Sequence, residues 1–64
     1  MIDTWTKQSP SGKAVAYKIE GNSEVGFIFS AQMEGRDIVV STGDLKEPTR
    51  EQVEAHFADY VAGK

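Results

Sequence analysis

The chain contains no cysteine. That absence excludes disulfide staples, thiolate metal sites and a cysteine nucleophile. It also makes a reducing, cytoplasmic setting the expected one. Histidine is almost as scarce, since His56 stands alone. One imidazole among scattered carboxylates has no recognisable ligand spacing, so no metal or other cofactor is expected. No apolar run reaches the roughly 18 residues of a membrane-spanning helix, so no membrane partner is expected. The opening residues, Met1-Ile2-Asp3-Thr4-Trp5, lack the basic-then-apolar order of a secretory leader. Basic side chains are in the minority, 7 against 10 acidic, for a net charge of -3. That balance weighs against broad phosphate-backbone binding, which depends on Lys and Arg.

What is present is an ordinary globular composition, 39% hydrophobic and 27% charged, in 64 residues. One domain spanning 1–64 is expected. A chain of this size buries only roughly 60% of its unfolded surface. It has no room for both a full core and a deep enclosed pocket, so no small-molecule substrate is expected.

Hydrophobic periodicity assigns the elements. Residues 3–7 carry Thr and Trp and end at Ser9-Pro10-Ser11-Gly12, a turn cluster. Segment 1–8 is therefore an edge strand or a frayed N-terminus. Over 14–20, Val15, Tyr17 and Ile19 alternate with smaller or polar residues. Over 25–33, Val25, Phe27, Phe29, Ala31 and Met33 form one face, with Gly26, Ile28, Ser30 and Gln32 on the other. Glu34-Gly35 suits a tight hairpin into 37–42, so the sheet spans 14–42. These connections are too short for parallel crossovers.

After Pro48, Thr49 and Gln52 have the spacing of a capping box. Val53, Phe57, Tyr60 and Val61 fall on one helical stripe, and Gly63 is a stop. A helix over 50–62 follows. The expected fold is α+β: an antiparallel meander of three or four strands, (β)βββα, with one C-terminal helix across one face. Its core would hold Val15, Tyr17, Ile19, Val25, Phe27, Phe29, Ile38, Val40, Val53, Phe57, Tyr60 and Val61. Leu45 would fold back over it.

The other sheet face should be polar. Here it carries Ile28 and Val39, with Ala14 and Ala16, and Trp5 if the N-terminal strand joins. Trp5, Ala16, Ile28 and Val39 are therefore the candidate protein interface, an apolar centre with a polar edge. The leading expectation is a non-enzymatic interaction module that binds a protein partner or itself, as a homodimer, through this face.

A second expectation is an acidic regulatory or inhibitory protein. It would offer Glu47 at the helix entrance, with Glu51, Glu54 and Asp59 along the helix, to a basic groove. A third is nucleic-acid binding by Lys7, Lys13, Lys18 and Arg36. Catalytic readings fail on their requirements. Ser11-Gly12-Lys13 lacks the upstream Gly and following helix of a phosphate loop. His56 has Asp59 as a neighbour on the helix but no positioned nucleophile.

Overall fold

The computed structural model describes residues 2–41 and 43–63. Four strands and two short helices follow one another as β1 (Ile2–Gln8), β2 (Ala14–Asn22), β3 (Gly26–Met33), β4 (Arg36–Ser41), α1 (Arg50–His56) and α2 (Ala58–Val61). The strands form one antiparallel sheet in the order β1-β2-β3-β4, with β1 and β4 at the edges. Thr42, expected as the last residue of the fourth strand, lies outside the described residues. No helix among the described residues is long and apolar enough to cross a membrane.

Turn chemistry sets each hairpin. Ser9 closes the first loop: its hydroxyl accepts from the Lys13 amide, and its own amide donates to the Lys13 carbonyl. In the second, the Asn22 side chain accepts from the amides of Glu24 and Val25. In the third, Glu34 and Gly35 both take positive φ, 53° and 78°, the mirror-image turn that matches strand twist.

Register decides the faces, because residues directly opposite across an antiparallel pair share a face. Trp5 lies opposite Tyr17, which lies opposite Ala31, which lies opposite Ile38. That face is covered by the helices. Its buried core is Val15, Tyr17, Ile19, Phe27, Phe29 and Ala31 from the sheet, with Val53 and Phe57 from the helical segment. Ile38, Val40 and Val61 pack against it while only partly buried.

Three expectations about packing are corrected. Val25 is 79% exposed and precedes β3. Gly26 has φ of 101°, which breaks the strand alternation and turns Val25 outward. Leu45 is likewise exposed, because its segment is held by a backbone bond from the Phe27 amide to the Asp44 carbonyl rather than by its side chain. The expected single helix is divided at Phe57, whose φ and ψ of -95° and 7° bend the chain. Phe57 is also the ring gripped by the core, 6.5 Å from Tyr17 and 5.7 Å from Phe29. Beyond that bend Tyr60 and Val61 are only half-buried.

The start of α1 follows expectation. Thr49 accepts from the Gln52 amide at 3.1 Å, and the Gln52 side chain accepts from the Thr49 amide at 3.0 Å. Gly63, with φ of 79°, ends the segment.

Candidate interaction surface

Trp5 does not lie on the open face. Its register with Tyr17 places it under α1, where its ring stacks on Tyr17 at 5.3 Å and 19°. The indole N–H donates to Glu54 Oε2 at 3.1 Å, and the Arg50 guanidinium lies 5.0 Å from the ring centre. β1 alternates, with Asp3, Trp5 and Lys7 on one face and Ile2, Thr4 and Thr6 on the other. Trp5, expected on the open face, lies inward instead, because an aromatic side chain contributes more apolar contact on Tyr17 than Thr4 or Thr6 would.

The same correction removes Glu54 from the acidic helix surface. Glu54 Oε1 accepts from Lys7 Nζ at 2.8 Å, so the carboxylate turns toward β1. That hydrogen bond, aided by the one from Trp5, holds its carboxyl below the usual range against the opposing effect of desolvation. Arg50 grips Asp3 through two nitrogens, at 3.0 and 2.8 Å, and depresses the Asp3 carboxyl in the same way. Together Asp3, Trp5 and Lys7 form a polar clasp between β1 and α1. Glu47, Glu51 and Asp59 remain exposed, without Glu54 to join them.

The basic candidates are dispersed. Lys7 pairs with Glu54, Lys13 with Glu34 at 3.0 Å, and Lys18 with Glu20 at 3.4 Å. Exposed pairs of this kind add little stability, but each offsets positive potential that a phosphate would need. Tyr17, Phe27 and Phe29 lie under the helices and offer no stacking platform. His56 is exposed, and its ring meets Phe29 edge-on at 5.1 Å.

The open face is built in rows. One row runs Ile2, Glu20, Ile28, Ser41; the next Thr4, Lys18, Ser30, Val39; the next Thr6, Ala16, Gln32, Asp37. The Lys18–Glu20 ion pair therefore occupies the middle of the face, and the expected apolar centre is displaced toward β3 and β4. There Ile28, half-buried, and Val39, 59% exposed, line one shallow dimple of about 70 Å³ with Lys18, Glu20, Ser30 and Asp37. Ala16 is two rows away from Ile28 and belongs to a polar row.

Two apolar residues escaped the sequence reading. Ile2 and Val25 stand exposed and line an open cleft of about 400 Å³ at the end of the sheet, beside Ile28. Alternation in β1 groups Ile2 with Thr4 and Thr6 on the face away from Trp5; with Trp5 expected outward, that grouping sets Ile2 inward, the reverse of what the register shows. Nothing periodic signalled Val25, whose exposure depends on the backbone turn at Gly26.

No protein-family model matches this chain, and comparison with curated proteins and with solved structures finds no match.

Proposed function

We propose that the protein is a non-enzymatic interaction module that binds a protein partner through the β3–β4 half of its open sheet face. One observation carries this reading. Val39 is an exposed β-branched side chain beside half-buried Ile28, on the face that the helices leave bare. A small domain has few apolar residues to spend outside its core, and adjacent ones rimmed by Lys18, Glu20 and Asp37 match the layout of an association surface.

The reading is tested with a photo-crosslinking side chain at position 39 in the host cell. A discrete adduct should form from position 39 and not from position 51. Its yield should fall about tenfold with Ile28→Lys, as expected where an anchor worth more than about 1.4 kcal/mol is lost. Equal capture from both positions, or capture indifferent to Ile28→Lys in a chain still folded by circular dichroism, would overturn it.

A further inference from the structure

The two edges of the sheet are built differently. On β1, the residues facing the helices include Asp3 and Lys7, tied to Arg50 and Glu54. Charges pointing inward on an edge strand are a device against pairing with another chain. On β4 the helix-facing positions are Arg36, Ile38 and Val40, the last two half-buried, with exposed Val39 between them on the other face. Its only charges, Arg36 and Asp37, sit at its beginning, and it contains no proline. The described edge of β4 is thus a short apolar template with unpaired backbone groups.

We infer that β4 pairs antiparallel with β4 of a second copy, about a two-fold axis through Val39, joining two sheets into one of eight strands. Registers that keep each side chain on its own face are centred on a single residue. A centre at Asp37 would set two carboxylates against each other. A centre at Ile38 would set Asp37 against Val39. A centre at Val39 places Val39 opposite Val39 and Ile38 opposite Val40 twice, with Asp37 opposite Ser41. Only this last register among the three matches apolar with apolar and leaves no like charges opposed.

The pairing also deepens the open-face reading. It brings the two Ile28–Val39 patches side by side, so that one symmetric apolar strip replaces two small ones. It rests on that reading only in the use of Val39. A single strand pair is at the small end of protein interfaces, so association in the micromolar range or weaker is expected.

Absence of cysteine makes the test clean. Sedimentation from micromolar to millimolar concentration should show the 7.0 kDa chain passing to twice that mass. Val39→Lys should raise the dissociation constant at least about tenfold, because it sets two ammonium groups opposite each other. Ile28→Lys, one strand in from the edge, should leave it within a few-fold. Val39→Cys should form an intermolecular disulfide on oxidation, and Thr4→Cys should not. A chain that stays at 7.0 kDa throughout, a dimer that survives Val39→Lys, or a dimer lost with Ile28→Lys but unlinked through Val39→Cys would each overturn the pairing. A monomer that still captures a different protein from position 39 overturns the pairing and leaves the open-face reading standing. A dimer crosslinked through Val39→Cys that captures nothing else bears out the pairing and removes that reading.

Discussion

The indole of Trp5 donates to the Glu54 carboxylate at 3.1 Å across 49 positions of sequence. This bond ties the first strand to the helix after the sheet is complete, so the chain's two ends close over one core. Around it, Trp5 stacks on Tyr17, Arg50 reaches back to Asp3, and Lys7 shares Glu54. An edge strand that looked dispensable by sequence becomes the strap that seats α1.

The clasp makes stability depend on acid. Asp3 and Glu54 both have carboxyls held below their ordinary values of 3.8 and 4.5, by Arg50 and by Lys7 respectively. A folded-state value below the unfolded one contributes stability above the unfolded value, and that contribution is lost as pH falls through the folded value. The loss therefore begins near those ordinary values and continues below them. Urea unfolding at about pH 7 and about pH 3 should show a larger drop in midpoint for the parent than for Asp3→Asn/Glu54→Gln. Equal drops would mean that the clasp carboxylates do not differ between folded and unfolded chains.

Much of the fold was legible because its signals are local. Alternation marked β2 and β3, turn residues marked the hairpins, and Thr49 with Gln52 marked the start of α1. The misplacements have a shared cause. Trp5, Glu54 and Val25 are positioned by partners or backbone angles that periodicity does not encode. A strand pattern says which residues share a face, but for an edge strand only the register against Tyr17 says which face is inward. For the candidate surface, Ile28 and Val39 were visible as apolar residues on the wrong parity. The ion pair between Lys18 and Glu20 that displaces their centre was not, since alternation puts both on the open face without saying that they pair at its middle.

Gly21 is the position where a side chain is least tolerable. Its φ is 127°, and a Cβ there would run into the Gly26 carbonyl oxygen and lie 2.9 Å from the Phe27 Cα. Both obstacles are backbone, so neither can rotate away. Gly21→Ala should cost about 2–6 kcal/mol, combining positive-φ strain with overpacking. A stability of about 3–10 kcal/mol is typical for this length, so a large share of that margin would be lost. Gly12 also has positive φ, 86°, but open space around it, and Gly12→Ala should cost only about 1–2 kcal/mol. Similar urea midpoints for the two variants would refute the close-approach argument.

Glu34 is the one non-glycine at positive φ among the described residues, and it forms the third hairpin turn with Gly35. Asn adopts that conformation more readily, and Asn-Gly is the preferred pair for this turn. Glu34→Asn gives up the Lys13 ion pair, but both partners are about half exposed, at 48% and 56%, so little is lost. The variant should gain about 0.5–1 kcal/mol, a rise of roughly 3–6 °C in Tm by scanning calorimetry. A lowered Tm would show that the ion pair outweighs the turn.

Val25 and Val53 are the same residue type in opposite surroundings. Val53 is fully buried beneath the helix, whereas Val25 projects from the β2–β3 loop. Removing the two methyl groups of Val53 forfeits about 1.6 kcal/mol of transfer free energy, and an unfilled cavity adds to it, so Val53→Ala should cost about 2–3 kcal/mol. Val25→Ala removes the same atoms from water-exposed positions and should stay within about 0.5 kcal/mol of the parent. Strand alternation alone would give the two substitutions comparable costs. Their separation in urea unfolding therefore tests whether Gly26 turns the chain outward. A loss at Val25 as large as that at Val53 would restore Val25 to the core and begin β3 one residue earlier, at position 25.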